Sequence, residues 1–239
     1  MWRRFLSYKK LCSGCDVNKT RLEEKILKMG KLLICVVIGY LLGCINPAYL
    51  ISKMKDKDIT NRGTGNLGTT NAFINFGKVY GVLVLICDMG KAVLAVVVSR
   101  YLNPDFLLGG IVAGSMAVIG HILPFYNGFR GGKGVASFGG LVLISDWKLF
   151  LLLLAVGCIA ALIFNYGCSI SFTAAILFPV LFGVKTGNIL VFLVLVLCSI
   201  LLMYKHLENL RKIKEGAEPP IREFLYTHIM GGSLHGTGK

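Results

Sequence analysis

Three polar segments of this 239-residue chain carry residue types suited to holding a phosphate. The first is Arg62-Gly-Thr-Gly-Asn-Leu-Gly-Thr-Thr-Asn71. Its glycines let the backbone turn and present N–H groups to an anion. Thr64, Asn66, Thr69, Thr70 and Asn71 add neutral hydrogen-bonding groups. The segment reads as a cradle for a phosphate or polyol, or equally as a polar loop made of turn residues. The second is His121-Ile-Leu-Pro-Phe-Tyr-Asn-Gly-Phe-Arg-Gly-Gly-Lys-Gly134. Arg130 and Lys133 bracket Gly131 and Gly132, and close backbone approach beside two cations suits a phosphate. It is not a Walker A loop, because Lys133 is followed by Gly134 rather than Ser or Thr. His121 reads as a general base or, standing alone, as a structural histidine at a membrane interface. The third is His206-Leu-Glu-Asn-Leu-Arg-Lys-Ile-Lys-Glu-Gly-Ala-Glu218. His206 and Asn209 share a helix face, and Glu208 and Lys212 make an ordinary exposed pair. Taken alone, this third segment is a basic helix end resting on anionic lipid.

The elements between these segments are apolar. Hydrophobic residues make up 55% of the chain and charged residues 16%. A soluble domain carries about 25% charged residues. A bilayer-spanning helix needs roughly 20 mostly apolar residues, and runs over 32–54, 79–102, 106–126, 135–145, 149–166, 170–184 and 189–204 are read as spans. The fourth is short and glycine-rich, a half-span or one that extends back into the preceding loop. The fold class is therefore all-α: a polytopic membrane helical bundle of about seven transmembrane helices. Residues 1–31 form a basic N-terminal extension, 32–218 the membrane domain, and 219–239 a flexible cytoplasmic tail. Inside the spans, Asn46-Pro47 interrupts the first helix. Asp88 and Lys91 sit three apart on one face of the second, as a functional pair at membrane depth or a structural one facing the bundle. Ser169 and Ser171 open the sixth.

The net charge of +14 is a matter of position. The basic residues fall between apolar runs rather than on a basic helix interleaved with aromatics, so nucleic acid is not an expected partner. With seven spans, the loops on the side of the C-terminus hold Lys53, Lys55, Lys57, Arg62, Lys78, Arg130 and Lys133. Lys205, Arg211, Lys212, Lys214, Arg222 and Lys239 join them there. The alternate loops hold only Arg100, Lys148 and Lys185. This bias puts all three polar segments in the cytoplasm and the N-terminus outside. Residues 1–31 run against it, with nine basic residues facing Asp16, Glu23 and Glu24. A translation start at Met29 resolves the conflict and is the reading adopted. An even number of spans, or a surface helix over 20–31, are the others. The segment is not a cleavable signal, because the apolar run that follows is too long. Cys12 and Cys15 form a lone C-x-x-C without the second pair that a closed zinc site requires.

In order and spacing, Thr64-Gly-Asn-Leu-Gly-Thr-Thr-Asn71, His121-x-x-Pro-x5-Arg-Gly-Gly-Lys-Gly-Val-Ala136 and His206-x-x-Asn-x8-Glu218 resemble the signature motifs of the bacterial acyl-phosphate:glycerol-3-phosphate acyltransferases. The resemblance runs from about Leu32 to Glu218. It implies seven spans and an active site at the cytoplasmic surface of a bacterial cell membrane. It also implies transfer of a fatty acyl group from acyl-phosphate to the 1-position of glycerol-3-phosphate, giving lysophosphatidic acid for phospholipid synthesis. Carried over residue by residue, Lys133, His206 and Asn209 are the catalytic set. Thr64, Asn66, Asn71, His121, Arg130, Gly131, Gly132, Ser169, Ser171 and Glu218 line the substrate pocket. No metal or cofactor is implied. The partners are the two substrates, membrane lipids and an upstream enzyme that makes acyl-phosphate.

The chain departs from the pattern at Thr64, where Ser is usual, and at Ile74, where Arg is. Asn165 replaces a basic residue, Phe172 a Ser and Ala92 a Gly. Two other functions compete. A transporter of a small phosphorylated anion also has broken helices, but predicts inverted repeats that the sequence lacks. A non-catalytic membrane paralogue fits the losses at Ile74 and Phe172. The acyltransferase class built on a His-x4-Asp dyad is excluded, since Tyr126 and Arg211 stand where its aspartate belongs.

Overall fold

The apolar runs all fold as helices, and among the described residues there is no strand. The structure, a computed structural model, describes the backbone of residues 2–229 and the side chains of 19–227, in both cases without Asp105. The Cys12 and Cys15 thiols and residues 230–239 of the expected tail lie outside this description. The helices are α1 (Trp2–Cys44), α2 (Pro47–Met54), α3 (Thr69–Phe76), α4 (Lys78–Leu102), α5 (Leu107–Ile122) and α6 (Val135–Ser145). They continue with α7 (Trp147–Phe164), α8 (Cys168–Thr186), α9 (Ile189–Lys205), α10 (Leu207–Lys214) and α11 (Ile221–Phe224).

Among the described residues six helical stretches are long and apolar enough to cross a bilayer, and Val135–Ser145 is a shorter apolar helix. At 1.5 Å per residue α6 is about 16 Å long, half of a hydrocarbon core of about 30 Å. It is the half-span allowed for by its length. The chain still reverses there as it would after a full crossing. Arg100, at the end of α4, donates to the carbonyl of Ile144, at the end of α6. Lys185, at the end of α8, pairs with Asp146, the N-cap of α7. These contacts gather the 100–107, 144–148 and 185–189 turns at one end of the bundle. All three polar segments gather at the other. Residues 20–31 are helical but continue into the first span without a break, so they are not the separate surface helix considered above.

Small residues set the packing where polar elements must meet. A Cβ on Gly39 or Gly43 of α1 would collide with the Ala113 or Ala117 carbonyl of α5, and one on Gly120 with the Tyr40 carbonyl. The two helices thus touch backbone to backbone, the close approach that small residues permit in membranes. α5 is the central helix, buried over most of its length, whereas α7 turns Leu151, Leu152, Ile159, Leu162 and Ile163 outward as a lipid-facing surface does. The first span breaks at Asn46. Its Oδ1 accepts from the Tyr49 N–H at 2.9 Å as N-cap of α2, Pro47 follows at N1, and its Nδ2 donates to the Leu67 carbonyl at 3.1 Å. One side chain thus ends α1, starts α2 and ties down the first polar segment.

Candidate active site

The polar segments enclose a cavity of about 670 Å³ lined by residues of the 63–74 loop, the start of α6, the start of α8, α10 and residues 217–227. The 63–74 loop turns at Gly63 and Gly65, whose φ angles of +59° and +70° only glycine adopts freely. Asn71 is its keystone. Fully buried, it accepts the Thr64 N–H at 2.9 Å and donates to the Ile59 carbonyl at 2.7 Å. It shapes the loop and does not itself line the cavity, whereas Thr64 and Asn66 do.

The floor is the second segment. Gly131 and Gly132 return their N–H groups to the Ile122 and His121 carbonyls, both at 3.1 Å, folding the loop back onto the end of α5. A Cβ on Gly131 would collide with the His121 carbonyl, and one on Gly132 with the His121 ring. Gly134, at φ +86°, then turns the chain into α6, whose first residues Val135 and Ala136 line the cavity. Beneath lies a buried cluster. Lys91 Nζ lies 2.8 Å from Asp88 Oδ1, from His121 Nδ1 and from the Ile45 carbonyl. Arg130 is exposed and lies outside the cavity.

The third segment closes the cavity from the side. Lys133 Nζ donates to Asn209 Oδ1 at 2.6 Å, and Asn209 Nδ2 donates to Glu218 Oε1 at 2.6 Å. Burial pushes the Lys133 ammonium below the ordinary lysine range, and Glu208 and Glu218 oppose that shift. Lys212 adds a second lysine to the wall. At the end of α9 the backbone tightens, His206 N bonding the Met203 carbonyl. The Leu202 carbonyl instead meets His206 Nδ1 at 2.8 Å. Phe172 meets the His206 ring edge-on, with centroids 5.8 Å apart.

The two serines of α8 part company. Ser171 is buried at the cavity, while Ser169 lines a separate groove of about 370 Å³ between α7 and α8. Residues 219–227, expected as part of a flexible tail, instead form one wall of the cavity. Ile221 and Arg222 donate their N–H groups to the carbonyl and side-chain oxygens of Asn165, at 2.9 and 3.2 Å. Phe224 meets Phe73 edge-on at 6.3 Å. The signal was there to find: Pro219-Pro220 starts a new helix, with Ile221, Phe224 and Leu225 at helical spacing.

The chain is similar to known proteins in both sequence and fold. The profile of the family described as Glycerol-3-phosphate acyltransferase matches residues 33–216. A glycerol-3-phosphate acyltransferase of Coxiella burnetii (strain CbuG_Q212) is 34% identical over 191 residues, covering 80% of this chain and 98% of that protein. One from Thermoanaerobacter pseudethanolicus is 33% identical over 187 residues, covering 78% and 93%. The crystal structure of PlsY (YgiH), an integral membrane glycerol 3-phosphate acyltransferase in its glycerol 3-phosphate form, superimposes with a TM-score of 0.73. It is 31% identical and covers 79% of this chain and 94% of its own. The chain belongs to the glycerol-3-phosphate acyltransferase family, integral membrane proteins of phospholipid synthesis.

Proposed function

We propose that this protein transfers a fatty acyl group from acyl-phosphate to the 1-hydroxyl of glycerol-3-phosphate, releasing phosphate and lysophosphatidic acid. The observation that carries the reading is the Lys133–Asn209–Glu218 chain, which joins the second and third polar segments across one cavity. Both substrates are phosphorylated anions. Lys133, Lys212 and the α6 N-terminus supply the positive field that such ligands need. Ile74, Leu85, Ile170 and Phe224 offer an apolar wall for the start of an acyl chain.

In this reading the glycerol hydroxyl oxygen attacks the acyl carbonyl carbon, and the carbon–oxygen bond to phosphate breaks. The hydroxyl proton passes through His206 Nε2 to a phosphate oxygen. Acyl-phosphate is already activated, so the protein works by positioning the hydroxyl and stabilising developing charge. His206 Nδ1 donates to the Leu202 carbonyl, which leaves the Nε2 lone pair for the attacking hydroxyl. Asn209 and Glu218 hold Lys133 in place, and Thr64, Asn66 and Ser171 contact the substrates. In this reading the cavity faces the cytoplasm of a bacterial cell, which the excess of basic residues in its loops supports. An upstream enzyme must supply acyl-phosphate.

The test is an acyl-transfer assay of the purified protein offered acyl-phosphate, acyl-CoA and acyl carrier protein in turn. Transfer from acyl-phosphate alone is expected, and Lys133→Ala should lower it roughly 100-fold or more while the protein still inserts. Full activity in that variant, or transfer only from another donor, overturns the reading.

A further inference from the structure

His121 is buried at the cavity floor, and the way it is held fixes where its proton sits. A lysine ammonium has three donors and no acceptor. Lys91 has three acceptors around it, all at 2.8 Å: the Ile45 carbonyl, exposed where α1 breaks, Asp88 Oδ1, and His121 Nδ1. The carbonyl can only accept, and Asp88 is the ion-pair partner that supplies the counter-charge. His121 Nδ1 also lies 3.2 Å from Asp88 Oδ1, but its shorter contact, 2.8 Å, is to the ammonium, which can only donate; Nδ1 therefore accepts, and the neutral ring carries its hydrogen on Nε2.

That second nitrogen has no hydrogen-bond partner among the described residues, and His121 lines the cavity. It faces Gly132, where a Cβ would collide with it. The glycine leaves the nitrogen uncovered. We propose that His121 is a fixed hydrogen-bond donor to the phosphate of a bound ligand, its proton held on Nε2 by the Lys91–Asp88 pair. Lys91 and Asp88 are then positioning residues that act through the ring, and His121 is not a general base. The inference rests on the reading that this cavity takes phosphorylated ligands.

The experiment uses full-length protein labelled with 15N-histidine in lipid nanodiscs. His121→Gln identifies the His121 signals by their loss. In the unliganded protein Nε2 should be the protonated nitrogen and Nδ1 the bare one. Inorganic phosphate should shift the Nε2 signal. Glycerol-3-phosphate and a non-transferable acyl phosphonate, added separately, tell which substrate's phosphate is held; a shift with either upholds the proposal. His121→Gln keeps an N–H near the Nε2 position and should bind within a few-fold of the parent. His121→Asn does not reach and should weaken binding roughly ten- to a hundred-fold, as loss of a hydrogen bond to a charged group does. Lys91→Met alone would leave Asp88 buried without its counter-ion, so the double Asp88→Asn, Lys91→Met variant is used. It should show both tautomers and weaker phosphate binding.

A ring protonated on Nδ1 in the parent protein overturns the proposal. So does an Nε2 signal that no phosphate ligand moves. Acyl transfer is assayed in parallel, which separates the two readings. Intact transfer with an unmoved Nε2 sinks this proposal alone. A phosphate-induced shift without transfer from acyl-phosphate sinks the proposed reaction and leaves the donor standing.

Discussion

His121 and His206 face the same cavity and are almost equally buried, yet their surroundings treat the imidazole in opposite ways. At the floor, Lys91 donates into Nδ1 of His121 and turns the far nitrogen into a donor. At the side, the Leu202 carbonyl accepts from Nδ1 of His206 and turns the far nitrogen into an acceptor. The floor is made of the middle of α4, the end of α5, a buried ion pair and a loop tied back onto α5. The side wall is made of the end of α9, short α10 and residues 215–227, a strap held on Asn165. A phosphate needs donors and an attacking hydroxyl needs an acceptor, and one residue type serves both because its neighbours differ. Damage to the floor should therefore cost fold and function together. Damage to the wall should cost function alone.

The sharpest break of that contrast is at Gly132. Gly132→Ala drives a Cβ into the His121 ring and to within 2.8 Å of the Leu67 carbonyl, and backbone on that side cannot give. We expect loss of activity beyond 100-fold and a lower yield of folded protein, on the scale of a multi-kcal/mol core clash of about 1–3 kcal/mol or more. Gly128→Ala is the control. It sits at positive φ, +57°, and no atom lies within 4 Å of its Cβ. It should cost only about 1–2 kcal/mol of local strain and leave turnover near the parent value. Thermal unfolding in detergent and acyl-transfer rates read both outcomes.

On the wall, His206→Asn keeps a donor near Nδ1 for the Leu202 carbonyl and removes the acceptor facing the cavity. The melting temperature should stay within a few degrees of the parent, while kcat falls about 10²- to 10⁴-fold, the range for a lost proton-handling group. A similar loss of stability at both histidines would erase the distinction between floor and wall.

Lys133 bridges the two regions and gives the contrast a pH dependence. Its folded-state pKa is lowered, chiefly by burial. Activity that needs the cation should fall as pH rises through a value below the ordinary lysine pKa of about 10.4. Stability should move the other way. Between the lowered folded value and the unfolded one the unfolded chain binds more protons, so stability rises with pH across that window. A bound phosphate opposes the lowering, so the alkaline limb of kcat should lie above that of kcat/KM. Lys133→Arg, charged throughout, should flatten both limbs. Activity and melting temperature that fall together with pH would contradict the assignment.

Much of this arrangement was legible in the sequence. Span lengths follow from local hydropathy, so the helices and even the short α6 could be placed, with α7 and α8 starting two residues earlier than expected. Motif order gathered the three polar segments. What remained hidden depends on direction in space. Ser169 and Ser171 are two residues apart, which on a helix is about 200° of rotation, so only one faces the cavity. Arg130 and Lys133 flank the same glycines, but the loop turns outward through Gly128 and Phe129, both at positive φ, before it comes back. The role of Asn71 as a buried keystone and the tautomers of the two histidines depend on partners far away in the chain. The strap carries only a short local sign, Pro219-Pro220 followed by Ile221, Phe224 and Leu225 at helical spacing, and no long apolar run that would mark it as part of a site.

The strap also gives the smallest expected effect. Asn165 replaces a residue that the sequence comparison expected to be basic, and its use is now visible: at φ +63° it offers both oxygens to the Ile221 and Arg222 N–H groups. Phe73–Phe224 completes the clasp beside Ile74, at the other position where a cation was expected. Two lost cations therefore coincide with a segment that lies beyond the family match at residue 216. Asn165→Gly keeps the backbone conformation and removes one hydrogen bond, worth about 1 kcal/mol. Asn165→Ala removes the same bond and adds about 1–2 kcal/mol of left-handed strain. Both should leave the floor intact; Asn165→Gly should barely move the melting temperature, and Asn165→Ala should lower it by several degrees. Both should make the 215–227 segment cleave faster under limited proteolysis and shift KM a few-fold. If Asn165→Ala instead cuts kcat as deeply as His206→Asn, the strap is part of the reacting centre rather than a cover over it.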